Sequence, residues 1–152
     1  MECNAALERR IRSNLAPFEV RSAVVDDAHH AAVAVTVTDI ARGADLPGLP
    51  AYSRWQDQAG LILTRRSNKL RNHPGQWAFP GGRLDPGETP ATTALREMHE
   101  EVAAEIGEDR ILGRLDDFVT RSGFVITPVV VWGGRKLALA PNPDEVASVH
   151  RI

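Results

Sequence analysis

Apolar and polar residues follow two different periods along this chain. Residues 5–15 place four apolar side chains at helical spacing, which predicts a short amphipathic helix. Residues 31–38 instead alternate valine with alanine and threonine, and this period of two predicts a β-strand. Residues 61–65 form a short apolar run that predicts a buried strand, and residues 77–79 predict a brief strand that stops at Pro80.

A second helical period begins after residue 88. Thr89 is a suitable N-cap and Pro90 suits the first helical position. We expect this helix to continue to Ile106 and to end at Gly107. One face is apolar and predicts packing against a core; it consists of Ala91, Ala94, Leu95, Met98 and Val102.

The second half of the chain alternates between strand patterns and connections. Residues 111–120 and 124–132 predict two strands joined by a turn at 121–123, and residues 146–152 predict another strand. Segments that carry glycine and proline predict irregular connections, namely 41–58, 66–76 and 133–143. Strands on both sides of a central helix predict an α/β fold with a mixed sheet.

Composition restricts the function classes. A chain of 152 residues fits one domain, and its net charge of -2 without a basic block argues against a general nucleic-acid surface. No apolar run reaches the ~18 residues of a membrane helix, and residues 1–12 do not resemble a secretory signal. Cys3 is the only cysteine, which excludes a disulfide within the chain and favours a reducing, cytoplasmic location.

Acidic residues crowd the second helix. Glu97, Glu100 and Glu101 stand at i, i+3 and i+4, so they share one face. Like charges at this spacing destabilise an isolated helix by roughly 0.2–0.5 kcal/mol per pair. Oxygen ligands clustered without cysteine suit a hard divalent cation, so the pattern predicts a Mg²⁺ or Mn²⁺ site.

The same segment resembles a known motif. Gly82, Glu88, Arg96-Glu97 and Glu100-Glu101 match the Nudix box, Gly-x5-Glu-x7-Arg-Glu-apolar-x-Glu-Glu-x-Gly-apolar, at every charged position. The differences come after it, where Ala103 replaces the glycine and Ala104 is a small version of the last apolar residue. The resemblance implies the Nudix α/β/α sandwich, a mixed β-sheet between helices that carries a loop-helix-loop motif.

The resemblance also implies roles for individual residues. Glu97 and Glu101 would be the main metal ligands, and Glu100 would complete or bridge the metal shell. Arg96 would pair with a neighbouring glutamate, and Glu88 would support the ligands or accept a metal itself. A backbone carbonyl of Gly81 or Gly82 would complete the shell. The general base stays open between Glu97 and Glu145.

The segment upstream of the box is similar to the coenzyme A diphosphatase branch of the Nudix family. It reads Leu61-Ile-Leu-Thr-Arg-Arg-Ser67, then Leu70-Arg-Asn-His73 and Phe79-Pro-Gly-Gly82. The resemblance implies hydrolysis of coenzyme A or an acyl-coenzyme A to 3′,5′-ADP and a 4′-phosphopantetheine. Guanidinium groups suit phosphate oxygens, and the candidate substrate contacts are Arg65, Arg66, Ser67, Lys69, Arg71 and His73.

Several alternatives stay open at this stage. The box alone fits a Nudix hydrolase of ADP-ribose, NADH or a nucleoside triphosphate, and it fits a ligand-sensing Nudix domain without catalysis. Asp116 and Asp117 are weaker candidates for positioning the substrate. We expect a single Nudix domain over residues 1–152, with a helical extension at 1–25 and a C-terminus shorter than the family's, and a homodimer is possible.

Overall fold

The computed structural model describes residues 1–41 and 46–152. Two α-helices and eight strands occur in these ranges: α1 Ala5–Leu15, β1 His29–Asp39, β2 Ala59–Arg66, β3 Trp77–Ala78, β4 Gly81–Arg83, α2 Pro90–Val102, β5 Ile111–Arg114, β6 Phe118–Val119, β7 Phe124–Gly134 and β8 Val146–Arg151. The strand order is β3-β2-β1-β7-β5; β4 also pairs with β1, β6 with β7 and β8 with β2. Only the β1–β7 pair is parallel within the described residues.

The sheet carries one helix on each face, which confirms the α/β sandwich with a mixed sheet. Strand β7 shows why, because consecutive residues alternate between two cores. Val129 and Val131 belong to the core under α2, whereas Val130 and Trp132 belong to the core under α1. A strand buried on both faces reads as a continuous apolar run, as this one does.

Helix α2 is anchored by the apolar stripe that the sequence indicated. Ala94, Met98 and Val102 have no exposed surface and pack with Ala32 and Ala34 of β1. The small side chains of β1 let the helix approach the sheet closely.

The predicted end of α2 was wrong. The helix stops at Val102, and Ala103 adopts a left-handed conformation with φ of 55° while its N–H donates to the carbonyls of Met98 and His99. An alanine in this conformation costs roughly 1–2 kcal/mol. The early exit turns Ala104, which is 1% exposed, into the core beside Val102, so tertiary burial outweighs the local preference.

Other predicted boundaries also differ from the structure. The strand expected at 111–120 is divided into β5 and β6, because the carboxylates of Asp116 and Asp117 turn away to accept hydrogen bonds from the N–H groups of Arg21 and Ala23. Strand β4 was not predicted. Within the connection expected at 41–58, residues 42–45 lie outside the described residues.

A buried carboxylate joins three segments at one end of the sheet. Asp39 has no exposed surface, and it accepts hydrogen bonds from the N–H of Lys136 at 2.9 and 3.1 Å. Its Oδ1 lies 3.6 Å from the guanidinium of Arg151, which is stacked on Trp55 at 4.5 Å. Asp39 therefore ties β1, β8 and the turn after β7 together.

Replacing Asp39 with alanine should destabilise the fold by about 3–5 kcal/mol, because it leaves the buried Arg151 guanidinium without its counter-charge. Urea unfolding followed by circular dichroism measures this loss. Asp57→Ala is the matched control, since Asp57 is an exposed ion-pair partner of Arg135 and should cost less than about 1 kcal/mol. Equal losses in the two variants would contradict the assignment.

Candidate functional site

Arg96 organises the acidic face of α2. Its Nε lies 3.1 Å from both carboxylate oxygens of Glu88, and its Nη1 donates to Glu97 at 2.9 Å and to Glu100 at 3.1 Å. Its Nη2 donates to the carbonyl of Arg83 at 3.0 Å. These hydrogen bonds raise the pKa of Arg96 and lower the pKa of Glu88. Arg96 thus holds the loop before α2 and the carboxylate of Glu97 in place.

Three carboxylates converge at one site. One oxygen from each of Glu97, Glu101 and Glu145 lies within 4.8 Å of the other two. Glu101 is 8% exposed, and burial, followed by the charges of Glu97 and Glu145, raises its pKa to about 8. Burial also raises the pKa of Glu97, although Arg96 opposes this. The cluster is therefore short of positive charge.

The loop before β8 binds the C-terminal end of α2 and thereby brings Glu145 to the helix. The last carbonyls of α2 need donors from elsewhere, and the N–H groups of Ala140 and Asn142 supply them, to Val102 and Glu101 at 2.8 Å each. The N–H of Glu145 in turn donates to the carbonyl of Asn142 at 3.0 Å. The loop that caps the helix thus also supplies the third carboxylate.

Two glycines leave room for this cluster. A Cβ on Gly82 would lie 2.2 Å from Oε1 of Glu97, and a Cβ on Gly81 would lie 2.3 Å from the carbonyl of Ala32. A backbone hydrogen bond from Gly81 lowers the pKa of Glu101, against the larger effect of burial. A side chain at position 81 would therefore collide with the backbone of β1, and a side chain at position 82 would displace the Glu97 carboxylate.

The structure separates the acidic residues that the sequence grouped on one face. Glu97 and Glu101 are in the cluster, whereas Glu100 is exposed and pairs with Arg96, and Glu88 pairs with Arg96 as well. Glu101 lies at the margin of the apolar stripe and is buried, so the apolar face and the acidic face of α2 are not fully separate. Glu145 joins the cluster from the other end of the chain.

A groove of about 570 Å³ opens beside the cluster and shares Gly81 and Gly82 with it. Arg66 and His73 line the groove. The Arg66 guanidinium donates from Nε and Nη2 to the carbonyl of Asn72 at 3.3 Å, and its charge lowers the pKa of Glu101. Arg66 thus lines the groove and is held by the loop that follows β2.

The other predicted substrate contacts lie differently. Arg65 reaches over Trp77 at 6.0 Å, and its Nε is buried with no partner among the described residues. Ser67 is buried and its Oγ accepts from the N–H of Lys69 at 3.2 Å, so it holds the loop. Lys69 and Arg71 are exposed and are not among the described groove residues.

Sequence reasoning missed part of the groove lining. This part contains Arg83, Thr120, Ser122 and Phe124, which come from β4, the turn before β7 and β7 itself. No motif joins these positions, because only the register of β1 with β4 and β7 brings them together. Asp116 and Asp117 were candidates for this role, but they bind the backbone of residues 21 and 23.

The chain was compared with known proteins. The family model of the NUDIX domain matches residues 47–150. A relative in Yersinia enterocolitica, named uncharacterized Nudix hydrolase NudL, is 44% identical over 93 residues, which cover 60% of this chain and 48% of that protein. The chain thus spans about half the length of the curated relatives it matches.

Solved structures resemble the fold at low sequence identity. A MutT/nudix family protein from Enterococcus faecalis superposes with a TM-score of 0.62 at 19% identity, over 99% of this chain and 56% of that one. A bifunctional NMN adenylyltransferase/ADP ribose pyrophosphatase from Francisella tularensis, complexed with AMP and a manganese ion, gives a TM-score of 0.56 at 16% identity, over 97% and 38%. These likenesses support the architecture.

Metal-free protein should be stabilised by Glu101→Gln at pH 8. The carboxyl of Glu101 has a pKa of about 8 in the folded protein and about 4.3 in the unfolded chain. As pH rises from about 4.3, the unfolded chain loses this proton first, so the folded protein becomes less stable. The variant should exceed wild type by more than about 1 kcal/mol at pH 8, and the difference should shrink at pH 5.

Urea unfolding in EDTA at the two pH values measures this difference. Glu105→Gln is the control, since Glu105 is exposed beyond the end of α2 and should change neither value. A variant that is less stable than wild type at pH 8 would contradict the unpaired charge in the cluster.

Proposed function

The chain belongs to the Nudix family, and we propose that it is a divalent-metal-dependent hydrolase of a diphosphate linked to a nucleoside. One observation supports this proposal above the others. Glu97, Glu101 and Glu145 converge beside a groove that Arg66 and His73 line. Carboxylate oxygens are hard ligands, and oxygens this close together can share one divalent cation. A diphosphate in the groove would lie next to them.

The three carboxylates fit a divalent cation. Their oxygens lie close together and Arg96 reaches only Glu97 among them. Burial raises the pKa of Glu101, and the charges of Glu97 and Glu145 raise it further. Glu97, Glu101 and Glu145 would hold Mg²⁺ or Mn²⁺, with a backbone carbonyl of Gly81 or Gly82 as a further donor. When bound, the cation would neutralise the diphosphate and lower the pKa of the attacking water.

The protein's own residues divide the remaining work. Arg96 keeps Glu97 in place and pairs with Glu100 and Glu88, which support the site from outside the cluster. Glu97 and Glu145 are the candidates for taking a proton from water.

Coenzyme A or an acyl-coenzyme A is our proposed substrate. The similarity of residues 61–82 to the coenzyme A diphosphatase branch supports this choice, and Arg66 and His73 from that segment line the groove. Arg66 is suited to a diphosphate oxygen, because it lines the groove and guanidinium groups bind phosphate oxygens. The products would be 3′,5′-ADP and a 4′-phosphopantetheine. Cytoplasmic location and a homodimer stay predictions.

Chromatography of products from coenzyme A, ADP-ribose and NADH, each with Mg²⁺ or Mn²⁺, tests the proposal. Wild type should release 3′,5′-ADP from coenzyme A, and Glu101→Gln should lower turnover by on the order of 10² or more, because a charged ligand becomes neutral. Glu105→Gln should match wild type.

The substrate arms separate the two levels of the proposal. Cleavage of ADP-ribose or NADH alone would keep the reaction and contradict coenzyme A as the substrate. Turnover by Glu101→Gln close to that of wild type would contradict the metal assignment.

Arg66→Ala should raise the KM for coenzyme A by about tenfold or more, since a hydrogen bond to a charged group contributes about 1.5–3 kcal/mol. Steady-state kinetics measure the change. Arg9→Ala is the control, because Arg9 is exposed on α1, and it should leave both constants unchanged. An unchanged KM and kcat/KM in Arg66→Ala would remove Arg66 from the binding groove.

A further inference from the structure

Two parts of the chain bring different side chains to the groove. Arg66, Asn72, His73, Gln76 and Trp77 come from the end of β2, the loop after it and β3, whereas Arg83 and Phe124 come from β4 and β7. Residues of β1 and β7 also line the groove, among them Ala31 and Ile126. The order of the strands sets this arrangement, since β4 and β7 pair with opposite edges of β1.

Arg83 and Phe124 are a contact pair that reaches across β1. Ala31 pairs with Arg83 of β4 on one side and with Ile126 of β7 on the other. Because Ala31 has only a methyl group, the long arginine side chain crosses above it, and its Cζ lies 5.0 Å from the centroid of the Phe124 ring. His29 supports the ring from a neighbouring position, with centroids 5.4 Å apart and planes tilted by 42°.

The Arg83 guanidinium is uncommitted. Among the residues that the structure describes, no carboxylate pairs with it, and its recorded contact is the Phe124 ring. The arginine is exposed to solvent, whereas the neighbouring Arg96 makes four ion pairs. A planar cation held against an aromatic ring presents a flat surface with free N–H donors, and nucleobases stack on such surfaces.

We propose that Arg83 and Phe124 form a platform for the nucleobase of the substrate, in the groove that Arg66 and His73 also line. The inference rests on the proposed function in that it assumes a nucleoside-linked diphosphate. It fixes the orientation in the groove: the base lies at the β7 end, the diphosphate lies at Gly81 and Gly82 beside the carboxylates, and the remaining group points past Arg66.

The turn before β7 holds the platform in place. The N–H of Phe124 donates to Oγ1 of Thr120 at 3.0 Å, and the hydroxyls of Thr120 and Ser122 are hydrogen-bonded to each other at 3.0 Å. Both side chains line the groove. They position Phe124 and leave hydroxyl oxygens near the edge of a stacked base.

Isothermal titration with ADP and with pyrophosphate, both with Mg²⁺ present, tests the platform without turnover. Phe124→Leu should weaken ADP binding by about 5- to 100-fold, the usual effect of losing one base–aromatic stack, and should change pyrophosphate binding less than twofold. Phe18→Leu, the same substitution at an exposed ring outside the groove, should change neither affinity.

Arg83→Gln is the second variant, because an exposed side chain is replaced and folding does not depend on it. It should weaken ADP binding more than pyrophosphate binding. Equal weakening of the two ligands would make Arg83 a phosphate contact and overturn the platform. So would equal ADP affinity in Phe124→Leu and Phe18→Leu, or a wild type that binds ADP no more tightly than pyrophosphate.

The binding data separate the failure of this inference from the failure of the proposed function. A chain that cleaves none of the tested substrates, but loses ADP affinity in Phe124→Leu, would contradict the hydrolase and support the platform. A chain that cleaves coenzyme A with unchanged KM in Phe124→Leu would contradict the platform alone.

Discussion

The cluster of carboxylates at the C-terminal end of α2 is the constraint on which the rest of the structure depends. Glu101 sits in the last turn of the helix, where the helix dipole already disfavours an anion, and burial raises its pKa to about 8. Glu97 and Glu145 add charge within 4.8 Å. Such a cluster is costly without a compensating positive charge, and the proposed cation would offset that cost.

That arrangement needs a well-fixed frame. The stripe of Ala94, Met98 and Val102 locks α2 on the small residues of β1, and glycines at 81 and 82 let β4 pass where any Cβ would meet another atom at under 2.4 Å. Asp39 and Arg151 fix the strand ends on the far side. Stability is thus supplied by the core and by a separate buried ion pair, and the carboxylate cluster is free to serve chemistry.

The groove follows from the same geometry. Strand β4 supplies Gly81 and Gly82 to the cluster and Arg83 to the groove wall, so three consecutive residues connect the proposed metal centre to the proposed base platform. The capping loop of α2 connects Glu145 to the loop of Arg66, since the N–H of Ser67 donates to the carbonyl of Glu145 at 2.9 Å.

The sequence by itself determined the α/β fold class, the start of α2 and its apolar stripe, and the placement of Glu97 and Glu101 on one helical ridge, because these depend on periodicity and capping within a few residues. Only tertiary structure decided the end of α2, the burial of Glu101, the arrival of Glu145 and the wall of Arg83 and Phe124. Each of these depends on contacts between segments distant in sequence, such as Asn142 with Glu101 or β4 with β1. Local patterns indicate which side chains share a face of a strand, but which distant strands pair is settled by tertiary packing, and this pairing brings those side chains together.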